Sequence, residues 1–221
     1  MRKKTTSRGK RGVNLPHVFG AASGNFYQDV LKKSPIFTSP QACHDLEMLE
    51  PVTRDAVKQV IAEAAKLNHK LVPVETYRSQ ARQAYFFRKG LTKIPTVGCH
   101  HFGLACDLAL MDTSEPDPVG EHYAFMRHLA ETAGLISGID WGRPNLPHKF
   151  RDWDHVQRVT VDDQRQLFAE TWYPDVNYRP LQRLGRTRIT EINDPILIQP
   201  QRRMGAAHPT HDTLAHTGCC W

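Results

Sequence analysis

The sequence lacks the features of a membrane-spanning or secreted protein. No apolar run approaches the ~20 residues that a membrane-spanning helix requires. The N-terminus is basic, as in a signal peptide, but the apolar stretch of ~7 to 15 residues that should follow is missing. The five cysteines include no CxxC pair and imply no disulfide framework. We therefore expect synthesis and storage in the cytoplasm, with the thiols reduced.

Acidic residues are missing from the start of the chain. Six lysines and arginines precede Asp29, which is the first acid. These six account for the net charge of +6, because the remaining 23 bases equal the 23 acids. A basic arm on a neutral body argues against a broad nucleic-acid-binding surface, so we expect no specific nucleic-acid partner. A solubilising tail is the favoured interpretation of the arm, and an anchor for polyanions is the alternative.

Composition divides the chain into three parts. Residues 1–40 are the basic arm and an irregular lead-in, with order expected to begin near Ser39. Residues 41–173 have the hydrophobic periodicity of a folded domain. Residues 174–221 are an extension of unknown role, in which the periodicity stops. We favour a tail over a metal site there, because its candidate ligands lack a compact spacing: His208, His211, His216, Cys219 and Cys220.

Periodicity within the middle part predicts alternating helices and strands. The expected helices are 53–68, 79–89 with Ser79 as N-cap, 121–133 and 161–172, and the expected strands are 71–76, 104–110 and 155–159. Alternation in the second strand puts Asp107 on one face with two alanines, and an apolar set on the other: Leu104, Cys106, Leu108 and Leu110. We predict an α+β domain with a small, mostly antiparallel sheet flanked by helices.

Histidines and carboxylates recur in two short groups, 100–107 and 152–155. Zinc takes nitrogen and carboxylate ligands tetrahedrally, and a catalytic site uses three protein ligands, which His100, Asp107 and His155 could supply. No HExxH motif occurs, so a helix-borne zincin site is excluded. The alternative interpretation is that these are ordinary polar residues at a domain surface.

Four separated motifs resemble one family of zinc peptidases. The segment HxxGxAxD at 100–107 is similar to the first ligand motif of the D-alanyl-D-alanine carboxypeptidases and L-alanyl-D-glutamate endopeptidases. Upstream, Tyr77-Arg78-Ser79 with Gln83 resembles the family's YRSxxxQ segment. Downstream, a further set resembles WGGDWxxFxDxPHFQ of the phage endolysin branch: Trp141, Gly142, Phe150, Asp152, His155 and Gln157.

The resemblance implies a hedgehog/DD-peptidase-like fold in residues 41–173 and a set of roles. One Zn2+ per chain would be held by His100, Asp107 and His155, with Asp152 as general base and Arg78 beside the developing oxyanion or a substrate carboxylate. The implied substrate contacts are Tyr77, Ser79, Gln83, His101 and Trp141. For His101 we favour the alternative of a polar neighbour, and core packing explains Trp141 at least as well.

The chain departs from the family pattern at three places. Gly98 stands where a serine often precedes the first ligand, Asp154 replaces the usual proline, and the segment 141–155 is slightly longer. Asp154 therefore competes with Asp152 as base. Regular strand alternation would turn both away from His155, so a catalytic role requires an irregular backbone there.

The resemblance implies a peptidase acting on the stem peptides of bacterial peptidoglycan. An L-alanyl-D-glutamate endopeptidase of endolysin type is the first hypothesis, and a D-alanyl-D-alanine carboxypeptidase is the second. A non-catalytic zinc- or wall-binding module is the third. We expect a monomer that reaches the wall after release from the cytoplasm, or as part of a virion.

Overall fold

A computed structural model of the protein describes residues 25–111, 121–143 and 150–185. The basic arm and the histidines and cysteines of the far C-terminus lie outside the described residues. Within those ranges, no helix combines the length and apolar character needed to cross a membrane.

Six α-helices and four strands form the described part of the domain. The helices are α1 Phe26–Asp29, α2 Pro51–Lys66, α3 Gln80–Arg88, α4 Ala124–Thr132, α5 Gln164–Phe168 and α6 Pro180–Arg183. The strands are β1 Leu71–Glu75, β2 Ala105–Leu110, β3 Ile136–Ser137 and β4 His155–Gln157. Short 3-10 helices cover Leu31–Lys33, Leu46–Met48, Cys99–Phe102 and Glu121–Tyr123.

The four strands make one antiparallel sheet in the order β1-β2-β4-β3. Asp107 of β2 is the register partner of His155 of β4, and Ala105 is the partner of Gln157. The predicted α+β class with a small antiparallel sheet is therefore confirmed.

One face of the sheet packs against α2 and α4. Cys106, Leu108 and Leu110 of β2 point into this core, as strand alternation predicts. The helices that cover them begin at side-chain caps or end at glycines: Glu50 accepts a hydrogen bond from the Thr53 N–H, and Gly134 follows α4 at a φ of +82°. Leu104 is an exception to the prediction, because β2 begins only at Ala105. Its side chain packs in a second cluster, with Tyr27, Leu31, Tyr77 and Phe102.

The helix predicted over 161–172 is much shorter in the structure. A turn in which Thr160 accepts from the Asp163 N–H precedes α5, which covers only Gln164–Phe168. Glu170 has a φ of +55°, which a continuing right-handed helix cannot contain.

The folded part of the chain extends beyond the expected bounds of residues 41–173 at both ends. Tyr27 and Leu31 are buried in the second cluster, well before Ser39. Past residue 173, the Tyr178 hydroxyl donates to Asp163 at 2.6 Å, and Leu181 of α6 is buried. Residues 25–39 and 174–185 thus pack on the same body as the sheet.

Truncation of Leu31 tests whether this lead-in contributes to the fold. Leu31→Ala should lower the free energy of unfolding by about 2–5 kcal/mol, because it removes a fully buried side chain. Val30→Ala is the matched control: Val30 is 42% exposed, and its change should stay within about 0.5 kcal/mol. Chemical denaturation of both variants measures the difference. Equal stabilities would show that the lead-in does not contribute to folding.

Candidate metal centre

Three residues converge from two strands and the turn that precedes one of them. His100 lies on the 3-10 turn Cys99–Phe102, which Gly103 ends at a φ of +69°. Asp107 and His155 face each other across β2 and β4. The Nε2 atom of His100 is 3.1 Å from Oδ1 of Asp107 and 3.3 Å from Nδ1 of His155, and this Nδ1 is 2.9 Å from the same Oδ1. All three residues are buried.

The outer nitrogens of both imidazoles show which atoms face inward without a proton. Nδ1 of His100 lies 3.3 Å from the Thr76 carbonyl oxygen, and Nε2 of His155 lies 3.0 Å from Oε1 of Gln157. Both of these oxygens accept hydrogen bonds, so each outer nitrogen donates, and in the neutral imidazole each inner nitrogen keeps a lone pair. Three lone-pair atoms therefore point at one place.

The donor set fits zinc in both chemistry and spacing. Zinc–nitrogen bonds of ~2.0–2.1 Å in a tetrahedron separate two ligand atoms by about 3.3 Å. The observed separations of 2.9–3.3 Å are close to that value. Two imidazoles and one carboxylate leave a fourth position, as a catalytic zinc site requires. We conclude that His100, Asp107 and His155 could hold a metal ion.

Protonation states also suit a cation. Burial lowers the pKa of His100 and so favours its neutral form. Burial alone would raise the pKa of Asp107, but its interactions with His100 and His155 outweigh burial and hold this pKa well below its usual range. Neutral imidazole and ionised carboxylate are the forms that bind metals.

Arg78 is buried beside this group and is held by a residue that sequence reasoning missed. Its Nε and Nη2 donate to Oε2 of Glu75 at 2.8 and 2.5 Å, and Nη2 also donates to Oδ2 of Asp107 at 3.0 Å. Arg78 therefore engages one Asp107 oxygen while the other faces His100 and His155. The Arg78 side chain is only 5% exposed, so its ion pairs with Glu75 and Asp107 are buried.

A β-bulge turns Glu75 towards the site. Pro73 is the register partner of Leu108, and Glu75 is the partner of Asp107, so one extra residue separates them on β1. In regular pairing Glu75 would lie opposite Cys106 and face the apolar core. The only sequence signal for a role of Glu75 in the site was its acidic side chain within a predicted strand. That signal does not show where the bulge lies.

The backbone between Asp152 and His155 is irregular, as a catalytic Asp152 requires. These residues form a turn in which the His155 N–H approaches the Asp152 carbonyl oxygen at 3.4 Å, and β4 begins only at His155. Burial, with the negative charges of Asp107 and Asp154, raises the pKa of Asp152 well above its usual range. Burial and the charge of Asp107 raise the pKa of Asp154 to about 6. The two carboxyl groups are hydrogen-bonded to each other.

Gly138 makes this turn possible. Its N–H donates to the His155 carbonyl at 2.8 Å, and its carbonyl accepts from the Asp152 N–H at 3.0 Å. A Cβ at position 138 would lie 2.4 Å from the Asp152 carbonyl oxygen and 3.1 Å from the His155 Cβ. Sequence reasoning did not identify this glycine.

A cavity of about 420 Å³ opens next to the three converging residues. His100, His155 and Arg78 line it, together with an apolar wall that includes Trp141 and Phe150. Lys93 and Arg143 also line it, with Arg143 paired to Asp162, and no aspartate or glutamate of the described ranges lines the cavity. The space suits a peptide segment that carries negative charge.

The predicted substrate contacts divide into two groups. Gln83 and Trp141 line the cavity. Gln83 donates to the Ile94 carbonyl at 2.7 Å, and the Trp141 ring lies 5.3 Å from the His155 ring. Tyr77 and Ser79 do not line it: the Tyr77 hydroxyl donates to the Phe37 carbonyl at 3.0 Å, and Ser79 caps α3.

His101 lies outside the cavity lining, and both its ring nitrogens face protein atoms. Nδ1 is 3.2 Å from the Arg78 carbonyl oxygen, and Nε2 is 3.1 Å from the Tyr27 hydroxyl. These contacts fit the polar-neighbour interpretation. Cys99 and Cys106 are buried thiols, and burial raises the pKa of Cys99 to about 12, so its thiolate is not readily formed.

Replacement of Gly138 tests the geometry of the centre. Gly138→Ala should lower the free energy of unfolding by about 1–3 kcal/mol, because the new methyl group meets backbone at Asp152. Zinc affinity should fall by about tenfold or more, since His155 moves with the turn. Gly98→Ala is the control, because Gly98 lines the same cavity and a Cβ there meets nothing within 4 Å. Zinc titration and denaturation measure both effects. Wild-type affinity in Gly138→Ala would contradict the geometry.

No protein-family model and no curated protein matches the chain. The solved structures that are partly similar include three peptidases. The L-Ala D-Glu endopeptidase ChiX of Serratia marcescens has 22% identity and a TM-score of 0.41, over 54% of this chain and 86% of ChiX. The LD-carboxypeptidase LdcB has 18% identity and a TM-score of 0.40, over 55% of this chain and 64% of LdcB. The vancomycin resistance D,D-dipeptidase VanXYg, in complex with a D-Ala-D-Ala phosphinate analogue, has 16% identity and a TM-score of 0.40, over 62% of this chain and 58% of VanXYg. At these scores the similarity does not establish membership of a family, and function is argued from the site itself.

Proposed function

We propose that the protein is a zinc-dependent peptidase that hydrolyses stem-peptide bonds of bacterial peptidoglycan, as an L-alanyl-D-glutamate endopeptidase of endolysin type. The observation that carries this proposal is the convergence of His100 Nε2, His155 Nδ1 and Asp107 Oδ1 beside an open cavity. A structural zinc site would be closed, whereas this one adjoins space for a substrate.

Zinc at this position would supply Lewis acidity and lower the pKa of a water molecule towards neutrality. The chain's own residues supply the remaining requirements. Thr76 and Gln157 fix the orientation and tautomer of the two histidines through their carbonyl oxygens. The apolar wall of the cavity excludes bulk water from the peptide bond.

Asp152 is the proposed general base. It lies three residues before His155, is 5% exposed, and interacts electrostatically with Asp107 and Arg78. Its carboxylate would take a proton from the attacking water and return it to the departing amine. The hydrogen bond between the two carboxyl groups orients Asp152, and Asp154 is the competing candidate for the same step.

Arg78 is proposed to stabilise negative charge on the scissile carbonyl oxygen. It lines the cavity, and Glu75 and Asp107 hold its guanidinium in a fixed orientation. A pre-oriented cation stabilises a developing oxyanion without the cost of reorganisation. The substrate class rests on the four sequence motifs and is consistent with the positive charge of the cavity, because the D-glutamate residue of a stem peptide carries a carboxylate.

Digestion of isolated peptidoglycan tests the proposal. Hydrolysis of the L-Ala–D-Glu bond should leave L-alanine with a free carboxylate and release peptides that begin with a new D-Glu amino group. Mass spectrometry of the products identifies both ends. A chelator should abolish the reaction, and added zinc should restore it. Free D-alanine as the only product would identify a carboxypeptidase, and zinc binding without any hydrolysis would identify a binding module.

Histidine variants locate the zinc that supports this activity. His100→Ala should lose the single zinc per chain and the activity, because it removes one of three ligands. The control is a triple alanine variant of His208, His211 and His216, which should keep both. Loss of zinc from the triple variant, with zinc retained in His100→Ala, would contradict the assigned centre.

Asparagine variants distinguish the two candidate bases. Asp152→Asn should lower kcat by about 10²–10⁴-fold with zinc content unchanged, because an amide cannot accept the proton. Asp154→Asn should cost less, since it acts only through Asp152. The reverse order would assign the base to Asp154.

A further inference from the structure

Trp141 has a backbone conformation that its side chain disfavours. Its φ is +51°, in the left-handed region where a bulky residue is an outlier. Such conformations persist only where the surroundings enforce them, and they cluster at functional sites. The Trp141 ring lies against His155, with 5.3 Å between ring centroids, and stacks with Phe150 at 6.4 Å. The left-handed conformation of Trp141 thus places its indole in the cavity wall, in contact with the ring of His155, a proposed zinc ligand.

Hydrogen bonds within residues 137–142 hold the loop that carries Trp141. The Trp141 N–H donates to the Ser137 carbonyl at 3.0 Å, and the Gly142 N–H donates to the Asp140 carboxylate at 2.8 Å. Asp140 is in turn paired with Arg127 of α4 at 2.7 Å. These contacts fix the start of the loop, at β3, to the core.

Leu184 packs against the opposite side of the same loop. A Cβ built on Gly142 would lie 2.3 Å from Cδ1 of Leu184. Gly142 has a φ of +77° and directly follows Trp141. Leu184 therefore lies directly against the backbone of the residue that follows Trp141.

Leu184 belongs to a segment that is fastened to the domain at several points. We call residues 174–185 the C-terminal clamp. Arg158, next to β4, donates through Nη2 to the carbonyl oxygens of Asp175 at 2.5 Å and Tyr178 at 3.3 Å. Arg183 donates to the Asp163 carboxylate at 2.9 Å, and so does the Tyr178 hydroxyl, at 2.6 Å.

The anchor of the clamp is itself buried. Arg158 is 2% exposed, and its Nη1 lies 3.2 Å from the Glu50 carboxylate, which caps α2. A charge in that position is stable only with its partners in place. Arg158 and Glu50 therefore fix the clamp to β4 and α2. Through Leu184, the clamp also packs against the loop that bears Trp141.

We propose that Leu184 of the C-terminal clamp is a positioning residue, which holds Trp141 in the conformation that contacts substrate. The proposal rests on the proposed function only for the substrate used in its kinetic test. If Leu184 has this role, the catalytic domain extends to at least residue 185 and does not end at residue 173.

Leu184→Ala tests the positioning role, with Leu181→Ala as the matched control. Leu181 is in the same clamp and is more buried, but it is not among the nearest neighbours of a Cβ built on Gly142. With isolated stem peptide as substrate, Leu184→Ala should raise KM about tenfold and change kcat less than about threefold, because a displaced indole weakens substrate contact. Zinc content should be unchanged. Leu184→Met should restore KM.

A spectroscopic readout separates this proposal from the proposed function. In a chain whose other tryptophans, 153, 172 and 221, are phenylalanine, the emission maximum reports Trp141 alone. Leu184→Ala should shift it and Leu181→Ala should not, whether or not the protein cleaves peptidoglycan. Equal spectra and equal KM in the two variants would overturn the positioning role.

A double-mutant cycle tests the contact itself. Gly142→Ala adds both left-handed strain and a clash with Leu184, whereas Gly134→Ala adds strain alone, because nothing lies within 4 Å of a Cβ there. Gly142→Ala should therefore destabilise the protein more, and Leu184→Ala should recover part of that loss only in combination with Gly142→Ala. Additive effects of Gly142→Ala and Leu184→Ala would contradict the contact.

Discussion

The antiparallel pairing of β2 with β4 determines where the charges of the site lie. Asp107 and His155 are register partners, while their neighbours Cys106 and Val156 face the apolar core. A shift of one residue would send Asp107 into that core and Cys106 into the site. Burial of an unpaired carboxylate among leucines is costly. Packing of the apolar side of the sheet therefore fixes which residues face the metal-binding side. Both sides follow from the alternation of apolar and polar residues in β2.

Charge balance around this pair explains why a cation fits. Acidic side chains outnumber arginines in the buried cluster: Glu75, Asp107, Asp152 and Asp154 face Arg78 and Arg82. Burial, together with the negative charge of Asp107, raises the pKa values of Asp152 and Asp154. A divalent cation beside Asp107 would favour the ionised form of both groups, which is the form that a general base needs. Metal binding and base activation are thus two consequences of the same electrostatics.

Sequence patterns predicted the parts of the site that depend on local chemistry. Alternation placed Cys106 in the core, Ser79 was identified as a helix cap, and the motif spacing selected His100 over His101 as the candidate ligand. The parts that depend on tertiary approach were missed. Glu75 reaches the site only through a β-bulge, and Gly138 is needed only because two backbone segments touch. The clamp was assigned to an extension because it contains no periodic apolar pattern, and its attachment depends on single hydrogen bonds and ion pairs.

The central claim is that two histidines and one aspartate hold a zinc ion at the edge of a substrate cavity. X-ray absorption at the zinc edge, on the full chain loaded with one equivalent of zinc, tests it most directly. The structure predicts only nitrogen and oxygen neighbours, at about 2.0–2.2 Å, with the scattering pattern of two imidazoles. A sulfur neighbour at about 2.3 Å would place the metal on cysteine and contradict the claim.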